Sequence, residues 1–226
     1  MSSPRLSPSA LNLFVDCPRC FWLEKNKNIK RPRGIFPSLP GGMDRVIKTY
    51  FDQHRAKASL PPGLDRPELA GIALFQDQKQ LDLWRNWKTG PEFRDTDGSI
   101  LSGALDDLMT YDGRYVPFDY KTKGSPATEE SAIKYYQNQL DCYALILEAQ
   151  GLETAGFGYL LYFSPKDLLE VRQIRFEVQP IKIPVSTGRA KDLLRQAVKQ
   201  LTEPLPPSKP ACEYCAWLRN FKTPFK

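Results

Sequence analysis

Asp112 and Gly113 stand between two runs rich in β-branched and aromatic residues, 100–111 and 114–121. An Asp-Gly pair in that setting calls for a two-residue type I′ hairpin. A hairpin closed by Tyr111 and Arg114 puts Asp106 directly opposite Asp119. Opposed side chains share one face with Cβ atoms roughly 4.5–5.5 Å apart, and Lys121, two residues beyond Asp119, projects from that face as well. Two carboxylates and an ammonium group converge. Like charges facing each other across a sheet repel, so the pair needs a compensating cation, either Lys121 or a bound metal. Two carboxylates and a backbone carbonyl are hard oxygen ligands of the kind Mg²⁺ and Mn²⁺ take. A lysine beside such an ion could orient or deprotonate a water and stabilise charge developing on a phosphate. From the residues alone, an ion-paired surface hairpin is the competing reading. Pro117 could also mark a bulge that shifts the register by one and brings Asp107 into the place of Asp106.

The second set of reactive residues is the cysteines. Four of the five fall in two C-x-x-C pairs, Cys17-Pro18-Arg19-Cys20 and Cys212-Glu213-Tyr214-Cys215, with Cys142 alone between them. Four thiolates satisfy a zinc ion or an iron-sulfur cluster, provided that the two ends of the chain meet. The single histidine, His54, excludes a histidine-rich metal site and most histidine-based catalysis. A net charge of +6 favours polyanionic partners. No apolar run approaches the roughly 18–20 residues of a membrane helix, and Met1-Ser2-Ser3-Pro4-Arg5 leads into no secretory segment. The expectation is a soluble cytoplasmic protein without a membrane partner.

These groups need a scaffold. Residues 100–111, 114–121, 156–163 and 171–178 read as strands. Between the second and third lies a helix over 129–150, with Ile133, Tyr136, Leu140, Tyr143 and Leu147 at helical spacing. Upstream, Ser7 as cap and Pro8 at the first position open a helix that would carry Cys17 and Cys20. Residues 25–34 read as a basic loop, and Pro40-Gly41-Gly42 as a break before a helical run with Val46, Ile47, Tyr50 and Phe51 on one side. The proline-rich stretch 60–68 precedes a helix over 69–87. Ser186 or Thr187 caps a last helix ending near Leu201, and a proline-rich linker over 203–210 leads to the second cysteine pair. Strands, one long crossover helix and further strands make an α/β domain with a mixed sheet.

Gly103-Ala104-Leu105-Asp106, then Phe118-Asp119-Tyr120-Lys121-Thr122-Lys123-Gly124, then Gln139-Leu140-Asp141-Cys142-Tyr143 resemble the G-x-x-D, (D/E)-x-K and Q-x-x-x-Y sequence of the PD-(D/E)XK nuclease superfamily. The order and placement of the motifs are most similar to the RecB-type branch, which includes CRISPR-associated iron-sulfur exonucleases. The opening from Ser7 through Cys17-Pro18-Arg19-Cys20-Phe21 resembles that branch too, so the similarity spans residues 7–215.

The resemblance implies a restriction-endonuclease-like mixed central sheet flanked by helices. The whole of 1–226 would be one nuclease domain, with 99–200 as catalytic core and 7–26 and 204–218 as a cysteine clasp. It implies Asp106, Asp119 and the Tyr120 carbonyl as ligands of Mg or Mn, Lys121 as the catalytic lysine, and Gln139 and Tyr143 as supporting residues. RecB-type members usually add a histidine ligand from the helix after the N-terminal loop. Residues 41–46 hold none here, and Asp44 is the nearest substitute. Their cluster joins one N-terminal cysteine to a C-terminal C-x2-C-x5-C trio, but Phe221 stands where the last cysteine would be. Cys20 would then complete Cys17, Cys212 and Cys215 around an iron-sulfur cluster, with zinc as the alternative. The implied activity is metal-dependent DNA hydrolysis, exonucleolytic on single strands or DNA ends, in repair, recombination or defence alongside a helicase or similar partner. The alternative is a catalytically silent, metal-stapled nucleic-acid-binding module using the basic loop with Phe21, Trp22 and Trp217.

Overall fold

A computed structural model describes residues 3–32, 34 and 38–221. A short strand, β1 (Arg5–Leu6), leads into helices α1 (Pro8–Asp16), α2 (Pro18–Lys27) and α3 (Ser38–Arg55). A 3-10 turn (Pro67–Leu69), β2 (Ile72–Leu74), α4 (Gln78–Arg85), β3 (Glu92–Arg94) and β4 (Ile100–Ser102) follow. Next comes the hairpin of β5 (Asp107–Tyr111) and β6 (Arg114–Thr122), and α5 (Glu129–Ala149) then crosses to β7 (Phe157–Glu170). The chain continues through β8 (Gln173–Pro184), α6 (Thr187–Thr202) and α7 (Glu213–Phe221).

The main sheet has the order β2-β5-β6-β7-β8, and β1-β4-β3 form a small second sheet. Only β6 and β7 run parallel in the main sheet, as the α5 crossover requires. The Asp112-Gly113 turn adopts positive φ at both residues, 47° and 74°, which is the type I′ geometry. Tyr111 opposes Arg114, and the register continues without a shift to Asp107 opposite Phe118. Pro117 faces Leu108 in this unbroken ladder and makes no bulge. One face of the hairpin packs Leu108 with Leu140, Tyr143 and Leu147 of α5. The other packs Phe118 and Tyr120 with Ile47 and Phe51 of α3.

Several sequence-based expectations are corrected. Residues 100–111 are not one strand: β4 and β5 belong to different sheets. The chain turns at Gly103, where a Cβ would lie 3.3 Å from Pro8 and 3.4 Å from Tyr143. Residues 69–87 are not one helix, because Gly71 has φ +79° and residues 72–74 pair with β5. Only α4 is helical there, capped by Asp77, which accepts from the Gln80 amide at 3.0 Å. Pro40-Gly41-Gly42 lies inside α3, and Pro40 is tolerated because amides of the first turn have no intrahelical acceptor. Ile47 and Phe51 are buried, whereas Val46 and Tyr50 are exposed.

At the ends of the chain, Pro18 splits the expected first helix in two. Cys17 is the C-cap of α1 and the N-cap of α2, and Cys20 lies in α2. The basic stretch begins as the last turn of α2 and becomes a loop after Asn28, at φ 54°; Arg33 lies outside the described residues. A further helix, α7, follows the proline-rich linker and contains Cys215. Strand β7 extends well beyond residue 163, and its partner covers 173–184 instead of 171–178.

Asp107 explains why the hairpin is held so firmly. It is fully buried, and Arg55, itself only 1% exposed, reaches its Oδ1 at 2.5 Å. Arg85 at 3.2 Å and the Tyr120 hydroxyl at 2.5 Å donate to Oδ2, and the Leu108 amide donates to Oδ1 at 2.7 Å. Asp107→Ala takes from buried Arg55 its nearer counter-charge and leaves only Asp52 at 3.6 Å, a loss of about 3–5 kcal/mol. Chemical denaturation is expected to show a severe loss of stability. A change under about 1 kcal/mol would show that Asp107 is not the anchor of this network.

Candidate active site

Asp106 sits in the link just before β5, and Asp119 and Lys121 alternate with Tyr120 along β6. Because β5 pairing ends opposite Phe118 while β6 stays paired to β7 through Thr122, the β6 backbone beside Tyr120 has a strand on only one side. The Tyr120 side chain lies on the far face, bonded to Asp107. Asp119 is fully buried. Gln139 Nε2 donates to Asp119 Oδ1 at 3.0 Å and to the Tyr143 hydroxyl at 2.7 Å. Residues four apart on α5 thus share a face that reaches the hairpin. The Lys121 ammonium rests against Asp119 Oδ2 and 4.5 Å from the centre of the Tyr136 ring.

The carboxylates titrate as a pair. Burial, with the nearby Asp106 charge, pushes Asp119 up to about 8 against the pull of Lys121. Burial works in the same direction on Asp106, but the Asp119 carboxyl and the Lys48 charge outweigh it and hold Asp106 low. Burial disfavours the Lys121 ammonium, yet the Asp119 charge holds its pKa above the ordinary lysine value. The buried Asp119 Oδ2 touches that ammonium without hydrogen-bond geometry. An acidic pair that retains a proton above neutrality, with one such oxygen, fits a divalent cation in the proton's place.

The proton has a consequence for stability. The unfolded chain releases it near the ordinary value of 3.8, whereas the folded state keeps it to about 8. The folded state therefore binds more protons across this window, and metal-free stability falls as pH rises through it. Melting in chelator at pH 5 and pH 8 should show a larger drop for the wild type than for Asp119→Asn. Equal drops would mean that burial of Asp119 carries no such cost.

The structure adds residues that sequence reasoning did not single out. Lys48 on α3 donates to Asp44 Oδ2 at 3.0 Å and to Asp106 Oδ1 at 2.7 Å, so Asp44 joins the site through a lysine. The i,i+4 spacing of Asp44 and Lys48 was the available signal. Among the described residues, no third carboxylate gathers with Asp106 and Asp119 as the four cysteines gather. His54 contacts Ser59 and the Tyr50 ring. Lys123 is exposed. Phe21 is fully buried and offers no surface to a nucleic acid, whereas Trp217 is 59% exposed.

At the other end of the molecule, Cys17 lies 3.7 Å from Cys215 and Cys20 3.7 Å from Cys212, sulfur to sulfur. All four sulfurs lie within 4.8 Å of one another and are buried. Burial pushes the Cys20 thiol up to about 12, a cost that a metal bound to the thiolate would remove. Polar bonds also tack the linker down: Arg19 to the Pro206 carbonyl at 2.8 Å, Trp22 to that of Glu203 at 2.9 Å, and Lys209 to that of Asp16 at 2.6 Å. The cysteines are thus not the only clasp between the ends. Cys142 is a packed core thiol beside Leu145 and Leu194.

No curated protein matches the sequence significantly. The family model of the PD-(D/E)XK nuclease superfamily matches residues 37–219, which include the hairpin, α5 and the second cysteine pair but not Cys17 or Cys20. Metal-dependent nuclease chemistry on a nucleic-acid substrate is what such a match suggests. With most of its length matched, the chain belongs to the PD-(D/E)XK nuclease superfamily.

Proposed function

We propose that the chain is a divalent-metal-dependent deoxyribonuclease acting exonucleolytically on single strands or DNA ends. The observation that carries this is the meeting of Asp106, Asp119, Lys121 and Gln139 at one end of β6. Asp106, Asp119 and the Tyr120 carbonyl would hold Mg²⁺ or Mn²⁺, which when bound supplies positive charge to the phosphate and makes a nearby water more acidic. Gln139, steadied by Tyr143, fixes the orientation of the Asp119 carboxylate. Lys121 remains protonated at neutral pH, so its role is to donate to a phosphate oxygen as negative charge grows there, not to act as base. A resemblance to the RecB-type branch supports the preference for ends and a role in repair or defence.

The second reading, a silent binding module, is favoured by one contact: Lys48 already neutralises Asp106. Incubation of labelled single-stranded and duplex oligonucleotides with Mg²⁺, Mn²⁺ or chelator separates the two. Degradation with either ion and none with chelator supports the enzyme. Binding without degradation supports the module.

For the cysteines the resemblance points to an iron-sulfur cluster, but the spacing favours zinc. Four metal–sulfur bonds of about 2.3 Å in a tetrahedron set the sulfurs about 3.8 Å apart, close to the 3.7 Å of the two pairs. A cluster of several irons would spread its thiolates further.

A further inference from the structure

Next to the carboxylate pair the chain encloses a second concavity of about 470 Å³, within the range of roughly 300–1,000 Å³ typical of small-molecule sites. It is continuous with the candidate active site, because Gln139 and Tyr143 line both. Ala104, two residues before Asp106, lines it too. Its remaining walls are unlike each other. One carries Trp87, 77% exposed, whose indole makes no hydrogen bond among the described residues and whose ring has Lys88 at 5.5 Å. Another carries Ser7, Ser9, Asn12 and Ser102. Asn12 accepts one bond, from Asn138 at 3.1 Å; its own amide N–H groups and the Ser102 hydroxyl have no partner among the described residues. Gly103 keeps the floor open, since a Cβ there would crowd Pro8 and Tyr143.

An aromatic face open to solvent beside uncommitted amide and hydroxyl groups matches the chemistry of a nucleotide. A base can lay its π face on the indole, an interaction worth about 1–3 kcal/mol per base, while its edge or sugar bonds to the polar wall. A base inside a duplex has both faces stacked and cannot do this without leaving the helix.

We propose that this pocket is the subsite for an unpaired nucleotide next to the scissile phosphate, with its base stacked on Trp87 and its polar groups bonded by Asn12 and Ser102. The assignment rests on the nuclease reading above and names its substrate class: a single strand or a frayed end. Phosphate next to this nucleotide would then lie towards Asp106 and Asp119, and Lys88, 5.5 Å from the Trp87 ring, adds positive charge nearby.

The test measures binding without cleavage. Anisotropy of a labelled single-stranded oligonucleotide is followed in chelator for wild type, Trp87→Ala and Trp87→Phe. Trp87→Ala should bind about 5- to 160-fold more weakly, Trp87→Phe should recover most of the affinity, and neither should change binding of a blunt duplex. On an oligonucleotide of abasic sites, wild type and Trp87→Ala should bind equally. Equal affinity of wild type and Trp87→Ala for the ordinary single strand, or an equal loss on the abasic strand, would overturn the subsite. Cleavage assays with Mg²⁺ or Mn²⁺ keep the two readings apart. If wild type cleaves and Trp87→Ala neither binds nor cleaves less well, the subsite alone fails. If wild type never cleaves but binds single strands through Trp87, the nuclease reading alone fails.

Discussion

Lys121→Ala is expected to lower divalent-metal-dependent cleavage by about 10²–10³-fold or more, the scale on which loss of one positioned donor to developing charge is felt. Its ammonium group rests against Asp119 and 4.5 Å from the centre of the Tyr136 ring, whereas Lys48 is held by Asp44 and Asp106. Asp119→Ala should abolish cleavage for a different reason, loss of a ligand, and should flatten the fall of metal-free stability above neutral pH, because the buried carboxyl whose ionisation burial opposes has been removed. Asp106→Ala should be equally inactive. The three variants are to be compared with wild type in cleavage assays with Mg²⁺ and Mn²⁺, with circular dichroism as the check on folding. Undiminished cleavage by folded Lys121→Ala or Asp119→Ala would remove the catalytic assignment. Asp107→Ala serves as the contrast, since its defect should appear first in stability and only through that in activity.

The second large effect is expected at the cysteines. Protein purified without chelator should contain about one zinc per chain and lack the visible colour of iron and sulfide. Cys→Ser at position 17, 20, 212 or 215 should release the ion, while Cys142→Ser should not. Binding energy at a structural site is folding energy, about 10–16 kcal/mol in small zinc-binding peptides. In this chain the three large core clusters contain none of the four cysteines. Loss of the ion should therefore free α7 and the linker before it unfolds the sheet, and limited proteolysis should cut first within residues 203–215. Nuclease activity should fall with it, without any contact between the cysteines and the substrate. Iron and sulfide in the purified protein would overturn the choice of zinc. Neither metal, with all five thiols alkylated in the native state, would return the cysteines to simple core packing.

What the sequence determined by itself is local in origin. The Asp-Gly turn needs positive φ at two adjacent residues, and that requirement sets a register that runs unbroken to Asp107 opposite Phe118, one step short of Asp106 and Asp119. Helical spacing placed Gln139 and Tyr143 on one face of α5, and the C-x-x-C pairs announced their own meeting. The places where sequence reasoning went astray are those where short segments have no preference strong enough to decide. Residues 72–74 carry a pattern too short to distinguish strand from helix until β5 offers them a partner. Residues 100–111 look continuous until Pro8 and Tyr143 close on Gly103. Arg55 and Lys48 share a helix and look alike in sequence. One is buried against Asp107 and holds the fold, and the other reaches Asp106 and enters the site. Tertiary structure decided this, because the value of a charge depends on how much water surrounds it and which counter-charge is within reach, and both are set by residues distant in the chain.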